Sequence, residues 1–161
     1  MTISTEEFRQ GLQRWASGVT VVTTATERLG KLGMTATSFA SVSLDPPQIL
    51  VCINDSAITS EGIRESGHFA VNILEVGQQE ASNQFASGKN PELRFDSVSW
   101  SKGRNGSPLL NDSLTSLECK AIQQIRAGSH WVIIGEVEKI ICRDGDPLIY
   151  YCSRYRNIEN A

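Results

Sequence analysis

Residues 35–43 (TATSFASVS) combine five hydroxyl side chains with no charged residue. The hydroxyl-bearing residues are Thr35, Thr37, Ser38, Ser41 and Ser43. A buried hydroxyl group needs a hydrogen-bond partner, and in an extended segment alternate residues share one face. Small, uncharged donors on one face let a flat ligand approach the backbone, so the stretch is a candidate surface for a ring with polar edges. A threonine-rich edge strand that runs into a serine turn is the alternative.

Residues 54–62 (NDSAITSEG) are a candidate anion site. A helix that begins near Ile58 presents unpaired backbone amides and a partial positive charge at its first turn. The hydroxyl groups of Ser56 and Thr59 can add donors, and such a helix end suits a phosphate group. Ordinary helix capping is the alternative explanation of the same residues. The carboxylate of Asp55 opposes an anion there unless it points away.

The sequence offers little for acid–base or nucleophilic catalysis. Its two histidines are His68, which begins an apolar strand and is expected to be structural, and His130, at a corner between two predicted strands. No serine stands in a nucleophile-elbow motif, and the carboxylates at 6–7 and 144–146 belong to a helix cap and a turn. We therefore expect the reactive atom to belong to a cofactor.

The four cysteines do not have the spacing of a zinc site. They are Cys52, Cys119, Cys142 and Cys152, with no CxxC pair and no neighbouring histidine. We predict free thiols and no bound metal, as is usual for a protein of the reducing cytoplasm. Disulfide pairing is the alternative.

The composition predicts a folded domain with neither a nucleic-acid partner nor a membrane anchor. The chain has 161 residues, 40% hydrophobic and 20% charged, with a formal net charge of −3 and a pI of about 5.4. This charge provides no basic surface for nucleic acid. No apolar run is long enough for a membrane span, and the first ten residues do not resemble a signal peptide. We expect one domain over residues 1–161, located in the cytoplasm.

A few short helices are predicted among many strands. Ser4 and Glu7 have the spacing of a capping box, which starts a helix that ends before Gly18. Two further helices are predicted over residues 55–67 and 77–88, each with a glycine as its stop signal.

The remaining chain is rich in predicted strands. β-Branched and apolar runs occur at residues 19–26, 48–54, 68–74 and 148–151, and two long strands joined by RAGS lie within residues 114–142. Residues 89–112 are irregular, and we expect a surface excursion there around a short strand near Trp100. A parallel sheet would need a helix after nearly every strand. We therefore predict a mainly β fold, a barrel with a few short helices, and no glycine-rich nucleotide fingerprint accompanies it.

Five segments in a fixed order make the sequence similar to a known family. They are FRQGLQRWASGVTVVTT, GMTATSFASVSLDPPQILVCIN, HFAVNIL, RAGSHWVIIGEVEKI and DPLIYYCSRYR. Together they resemble the short-chain flavin reductases, the small reductase components of two-component flavin monooxygenases. The resemblance runs over residues 8–156, and its most specific piece is T-x-S-F-x-S-V-S-x-x-P-P.

The resemblance implies a flavin-binding split β-barrel. In this family the barrel binds FMN or FAD, usually as a homodimer with the flavin near the subunit interface. A hydride passes from NADH or NADPH to N5 of the flavin, and reduced flavin is released to a partner oxygenase. No protein group needs to gain or lose a proton in the hydride transfer, which agrees with the few acid–base candidates above.

The resemblance also assigns roles to three groups of residues. The ring group, which holds the isoalloxazine, comprises Thr35, Thr37, Ser38, Ser41 and Ser43, with Cys52 and Asn54 along the ring and the ribityl chain. The group at the phosphate-bearing tail comprises Ser56, Thr59, Asn83 and Lys89. The nicotinamide group comprises His130 and Tyr155, and His130 is the candidate catalytic residue that orients or covers the nicotinamide.

Two positions depart from the family pattern. The family usually has Gly-Asp-His where this chain has Gly128, Ser129 and His130, so any role of that aspartate in orienting the histidine is lost or taken over by Ser129. A basic residue is common where this chain has Asp55. This second departure leaves open the affinity for the flavin tail and the choice between FMN and FAD.

Two other functions remain alternatives to a flavin reductase. The same barrel could act without turnover, as a flavin carrier or a redox-sensing module. A relative of the pyridoxamine-phosphate oxidases would need clustered arginines and lysines for a second phosphate, and the sequence shows no such cluster.

Overall fold

The computed structural model describes residues 2–88 and 91–158, and the predicted tail residue Lys89 lies outside them. The helices of the described residues are α1 (Thr5–Leu12), α2 (Ile58–Ser66) and α3 (Gln79–Ala86), with a 3₁₀ turn at Pro91–Leu93. All three α-helices lie in the segments that the sequence predicts. At α1 the predicted capping box is formed, because the Glu7 carboxylate accepts a hydrogen bond from the Ser4 amide at 2.8 Å.

Most of the remaining chain is extended. The strands are β1 (Ser17–Gly18), β2 (Thr20–Thr26), β3 (Gly30–Ala36), β4 (Phe39–Leu44), β5 (Pro47–Asn54), β6 (His68–Ile73), β7 (Trp100–Lys102), β8 (Pro108–Leu110), β9 (Thr115–Ala127), β10 (His130–Cys142), β11 (Ile149–Tyr151) and β12 (Arg154–Arg156). β9 and β10 form the long hairpin predicted on either side of RAGS.

Seven antiparallel strands form the main sheet, in the order β3-β2-β6-β9-β10-β5-β4. The sheet curves into a barrel that does not close between its edge strands β3 and β4, which makes it a split barrel. β1, β11 and β12 form a small second sheet, and β7 and β8 form a hairpin. The predicted fold class, a mainly β split barrel with a few short helices, is confirmed.

Alternation along β5 separates the barrel core from the outer face. Ile49, Val51 and Ile53 are buried in the core, whereas the intervening Leu50 and Cys52 are partly exposed. Because side chains alternate along a strand, this pattern fixes which face of β5 looks outward. Each fully buried valine or isoleucine stabilises the barrel by about 1.5–3 kcal/mol.

Residues 91–112 contain the predicted short strand near Trp100, β7, but they are not the surface excursion that the sequence predicts. Phe95, Leu109 and Leu110 are buried, and Phe95 packs edge-to-face on Phe85 with ring centroids 5.0 Å apart. The guanidinium group of Arg94, also buried, donates to the Gly33 carbonyl at 2.6 Å. The expectation of a surface segment is therefore wrong, because these apolar residues cover α3 and one edge of the barrel.

Candidate functional site

Two cavities meet at the bend between β3 and β4. One, of about 590 Å³, lies along β4 and β5 and is called here the β5 cavity. The other, of about 380 Å³, lies beside α3 and is called the α3 cavity. Thr37, Tyr150 and Ser153 line both cavities, so the two form one continuous site.

The outward side chains of β5 continue this site along the sheet. In the strand register Leu50 pairs with Ile134, Cys52 with Val132, and Asn54 with His130. Residues paired directly across an antiparallel ladder lie on the same face. The outer face, defined here by these three cross-strand pairs, therefore runs from the β5 cavity to His130.

Two of the five predicted hydroxyl groups hold strands in place. The Thr35 hydroxyl donates to the Ser82 carbonyl at 2.6 Å and so attaches β3 to α3. The Ser38 hydroxyl donates to the Cys52 carbonyl at 2.7 Å and so attaches β4 to β5. The Thr35 oxygen can still accept a hydrogen bond from a ligand, whereas the Ser38 oxygen already accepts from the Cys52 amide at 3.3 Å and has one lone pair left.

The other three hydroxyl groups have different surroundings. Thr37 is exposed at the bend where both cavities meet. Ser41 and Ser43 lie further along β4 and are not among the residues that line either cavity. A register shift in the pairing with β5 falls between Ser41 and Ser43. Because a bulge interrupts the regular alternation of a strand, the shared face expected for these two serines does not follow from their spacing.

The α3 cavity brings together Asn83, which the sequence assigns to the tail, and Tyr155, which it assigns to the nicotinamide beside His130. Because His130 lies outside this cavity, the structure does not group Tyr155 with it as expected. The Tyr155 hydroxyl donates to Asn83 Oδ1 at 2.8 Å and lies 2.9 Å from the hydroxyl of Ser82. Because Oδ1 is engaged, Asn83 presents its Nδ2 amide to the cavity as a donor.

A second amide donor lies at the other end of the outer face. Asn54 Oδ1 accepts from the backbone amide of Ser56 at 2.9 Å and from its hydroxyl at 2.7 Å, which leaves Asn54 Nδ2 as a donor. The Ser56 hydroxyl is therefore occupied locally. α2 begins at Ile58 without a side-chain cap, and Thr59 in its first turn is buried.

His130 is exposed and lies beyond both cavities, opposite Asn54. Its Nδ1 is 2.9 Å from the hydroxyl of Ser129. The structure therefore places Ser129 beside the imidazole, which fits the second of the two alternatives above, that Ser129 takes over the orienting role of the family's aspartate. His68 is engaged elsewhere, with its Nδ1 3.0 Å from the carbonyl of Ser66.

Asp55 is also engaged by other residues. Its carboxylate accepts from Trp131 Nε1 at 2.5 Å and pairs with the guanidinium group of Arg126 at 3.1 Å. The positive charge of Arg126 offsets the negative charge that Asp55 brings to the start of α2.

One wall of the β5 cavity is formed by residues that the sequence did not indicate as site residues. This wall comes from α1 and from the turn after β11, and its residues include Arg9, Trp15, Tyr151 and Cys152. The available signal was the helix itself, since α1 is amphipathic but buries none of its residues. An amphipathic helix usually covers a core, so an unburied apolar face indicates another role.

The Cys52 thiol in the β5 cavity is a poor nucleophile. Burial raises the pKa of the Cys52 thiol, so it is protonated at neutral pH. Cys119 is deeper in the barrel, where burial, with a smaller contribution from Glu138, raises the pKa of its thiol to about 12. All four cysteines are free, and within residues 2–88 and 91–158 no cluster of His, Cys, Asp or Glu side chains could hold a metal ion.

The lining of the joined cavities decides what chemistry the site can perform. Among the described residues, that lining contains no carboxylate and no histidine. It consists mainly of small, apolar and aromatic side chains, with an amide donor at the α3 end. Such a site can hold a flat ring with a polar tail, but it has no evident acid–base pair of its own.

Comparison with known proteins identifies the family. The flavin reductase like domain matches residues 12–159. An NADH-dependent flavin reductase of Rhodococcus sp. is 40% identical over 94% of this chain and 85% of its own length. The FMN reductase (NADH) RutF of Pseudomonas syringae is 36% identical over 97% and 88%. HsaB of Rhodococcus jostii, the reductase subunit of a flavin-dependent monooxygenase, is 34% identical over 98% and 80%.

A solved structure agrees over almost the whole chain. The NADH:FAD oxidoreductase SgcE6 of Streptomyces globisporus C-1027, in complex with NAD and FAD fragments, has a TM-score of 0.91 at 30% identity. The match covers 99% of this chain and 97% of that chain. The fold is that of a flavin reductase split barrel. The chain belongs to the flavin reductase-like family, as its sequence predicts.

The residues of the site fit a flavin nucleotide. A cavity of about 590 Å³ lies within the range of small-molecule sites. Its apolar and small side chains suit a tricyclic ring, and the hydroxyl oxygens of Thr35 and Ser38 can accept from the ring edge. Asn83 Nδ2 offers a neutral donor to the phosphate-bearing tail.

Proposed function

We propose that this protein is an NADH-dependent flavin reductase whose joined β5 and α3 cavities bind FMN or FAD. The observation that carries the proposal is the hydroxyl-lined bend at Thr37, which joins a ring-sized cavity to a pocket with an amide donor. The cavity lining described above lacks a carboxylate and a histidine, which suits a hydride transfer that needs no protein acid or base. The relatives and their NADH dependence support the same reaction.

The chain's part is to bind and align two rings. A bound flavin accepts a hydride at N5 from C4 of a reduced nicotinamide. Thr37 and Cys52 would lie against the ring, because both line the β5 cavity, and Ser38 holds the start of β4 against β5. Preorganised contacts of this kind reduce the entropic cost of bringing two reactants together.

Asn83, Asn54 and His130 keep the roles assigned from the sequence, whereas Tyr155 moves from the nicotinamide to the tail because it binds Asn83 in the α3 cavity. Asn83 and Tyr155 bind the tail on the α3 side, and Asn54 Nδ2 with the first turn of α2 provides a second polar contact. His130 covers or orients the nicotinamide without acting as an acid, and its exposed position at the end of the outer face supports this role. Ser41, Ser43 and Thr59 contribute less, because none of them lines the joined cavities.

An oxidation assay tests the proposed reaction. Purified protein is mixed with NADH or NADPH and with riboflavin, FMN or FAD in turn, and the nicotinamide absorbance band is followed. We expect rapid loss of the band with NADH and either flavin nucleotide. A stable band over bound yellow flavin would instead identify a flavin carrier or redox-sensing module.

The His130→Ala variant tests the role of the histidine. Loss of a contact to the nicotinamide should raise its KM about tenfold with little change in kcat, as for a binding interaction lost equally in ground and transition state. His68→Ala is the matched control, because His68 lies outside the cavities. Unchanged kinetics in His130→Ala would remove this residue from the site.

We also propose that the outer face is covered by a second copy of the chain, so that the working protein is a homodimer. Ile125 pairs with Val132 across β9 and β10, on the same face as Cys52, and its side chain is 52% exposed. This exposed apolar row continues directly from the β5 cavity. A second copy there would bury the row and close the open side of the flavin site.

A partner oxygenase is the proposed destination of the reduced flavin. The name of HsaB supports it, and so does the open site, whose lining holds one charged side chain, that of Arg9, and no carboxylate among the described residues. Gel filtration of the flavin-loaded protein tests whether flavin is a shuttling substrate. Flavin that elutes separately supports delivery to a partner, and flavin that stays with the protein contradicts it.

We propose one domain over the whole chain and a location in the cytoplasm. The four free thiols support a reducing compartment. Among the described residues, no helix has the length and apolar character required to cross a membrane.

A further inference from the structure

Asp55 attaches the loop after β5 to both strands of the β9–β10 hairpin. Its carboxylate binds Trp131 Nε1 on β10 at 2.5 Å and the guanidinium group of Arg126 on β9 at 3.1 Å. Its backbone amide donates to the carbonyl of Ser129, in the turn between the strands, at 3.0 Å. One residue therefore makes three polar contacts with a hairpin that is more than 70 positions away in the sequence.

Two of these contacts flank His130. Ser129 precedes the histidine and Trp131 follows it, and Asp55 binds the carbonyl of the first and the indole of the second. Asn54, next to Asp55 in the chain, is the cross-strand partner of His130. The pairing of β5 with β10 sets the register of His130 opposite Asn54, and the contacts of Asp55 hold this end of the hairpin in place.

The indole that Asp55 binds is itself held firmly. Trp131 packs against the barrel core, and the guanidinium carbon of Arg64 on α2 lies 5.1 Å from the indole ring centroid. A cation over an indole face is attracted by the ring quadrupole. The indole of Trp131 is therefore held in place by its packing, and its hydrogen bond to Asp55 positions the loop that carries Asp55.

We propose that Asp55 is a positioning residue for His130: it holds the histidine-bearing hairpin against the loop that begins α2. The proposal rests on the proposed role of His130 at the nicotinamide. Asp55 does not touch the reacting rings and acts only through the geometry of the hairpin. Its ion pair with Arg126 also offsets its negative charge at the start of α2, the candidate site for the phosphate group.

The kinetic test is a double-mutant cycle with Asp55→Ala and His130→Ala. If Asp55 acts through His130, Asp55→Ala alone should raise the KM for NADH several-fold, with kcat little changed. The double variant should then be no worse than His130→Ala, because coupled residues are not additive. Asp55→Asn, which keeps an acceptor for Trp131 but loses the charge, should lie between wild type and Asp55→Ala. Additive effects on KM would overturn the proposal.

A spectroscopic readout tests the positioning without any ligand. The chain has only two histidines, so their imidazole proton signals can be assigned from the His130→Ala variant. We expect Asp55→Ala to move the His130 signals and leave the His68 signals in place. Asp112→Ala is the control, since Asp112 is an exposed aspartate 3.9 Å from Arg143 on a different surface. Unmoved His130 signals in Asp55→Ala would contradict the proposal.

The two readouts separate the failure of this inference from the failure of the proposed function. If His130 signals respond to Asp55→Ala but His130→Ala has normal kinetics, the positioning stands and the nicotinamide role of His130 falls. If His130→Ala raises the KM while Asp55→Ala changes neither readout, the positioning falls alone. Should Asp55→Ala fail to fold, Asp55→Asn and Arg126→Gln each remove only part of the contact set and decide the same question.

Discussion

Cys52 and Cys152 line the same β5 cavity, although they are 100 positions apart in the sequence. Cys142 is exposed on β10 away from that cavity, and Cys119 is buried in the core. The four thiols thus lie at three kinds of location: the β5 cavity, a surface away from it, and the barrel core. Comparing their rates of alkylation with and without flavin therefore reports where the flavin binds.

Alkylation of the cysteines should be slowed by flavin only at the cavity. Saturating FMN is expected to protect Cys52 and Cys152 from iodoacetamide and to leave Cys142 unchanged, as followed by peptide mass spectrometry. Because burial raises the pKa of Cys52, its reactive thiolate is scarce at neutral pH, and its labelling should keep accelerating at a pH where an ordinary thiol has levelled off. Equal protection of Cys142 would indicate that FMN does not bind at this site.

Thr37 is the residue whose enlargement should matter most for flavin affinity. Thr37→Leu places a bulky side chain where both cavities meet, and we expect at least about a tenfold weaker Kd, or roughly 1.4 kcal/mol. Ser41→Leu is the comparison variant, because Ser41 lies outside the cavity lining, and its effect should be small. Flavin fluorescence quenching measures both, and equal affinities would place the ring elsewhere.

Part of the site is readable from residue types and part is not. The sequence singles out Thr35, Thr37 and Ser38 because uncharged hydroxyls cluster there, and these three surround the bend between the cavities. Spacing alone does not reveal that a bulge separates Ser41 from Ser43. The α1 and Cys152 wall comes from both ends of the chain, and no local pattern brings those ends together.

Among the elements, the two glycines inside helices have opposite surroundings. A Cβ built on Gly62 of α2 would lie 2.4 Å from the Leu32 side chain and 2.9 Å from that of Thr24, both of which are buried. A Cβ on Gly11 of α1 would meet nothing within 4 Å. α2 therefore depends on a glycine for its close approach to the barrel, and α1 does not.

Alanine at these two positions should change stability in opposite directions. Gly62→Ala overpacks the contact between α2 and the barrel and should lower the free energy of unfolding by about 1–3 kcal/mol. Gly11→Ala removes backbone freedom in an exposed helix and should raise helix stability by about 0.5–1 kcal/mol. Urea unfolding measures both, and a Gly62→Ala protein as stable as wild type would contradict the close packing of α2.

The elements with strong local signals are the ones that the sequence predicts well. The capping box at Ser4 and Glu7 marks α1, and Gly67, with φ of 71°, ends α2 in the left-handed conformation. Residues 89–112 give no such signal. Their few apolar residues lack helical or strand periodicity, so their burial against α3 depends on tertiary contacts alone.

At the scale of the whole molecule, the outer face should control association. Ile125→Asp puts a charge into the exposed apolar row and should convert the proposed dimer to a monomer, as measured by sedimentation velocity. Flavin affinity should fall in parallel, because the open side of the cavity loses its cover. Leu93→Asp, at an exposed leucine of the 3₁₀ turn, is the control. A wild-type protein that sediments as a monomer would refute the dimer.

The overall architecture follows from the order of motifs more than from any single one. Successive β-branched runs with few helices between them indicate antiparallel connections, and the structure confirms the resulting barrel. The position of His130 opposite Asn54 is less accessible to such reasoning. It depends on the exact pairing of β5 with β10, and strand register is a property of the assembled sheet.

The turn between β9 and β10 contains only Gly128 and Ser129. Whether its length is even or odd decides which side chains of β10 face outward. His130 faces the outer surface and Trp131 faces the barrel interior, because neighbouring side chains on a strand point in opposite directions. If one residue were inserted while the turn kept two residues, β10 would shift by one residue along β9, which would bring the indole outward and turn the imidazole inward. Insertions of two residues would restore the arrangement, so tolerance in this loop should alternate between even and odd lengths.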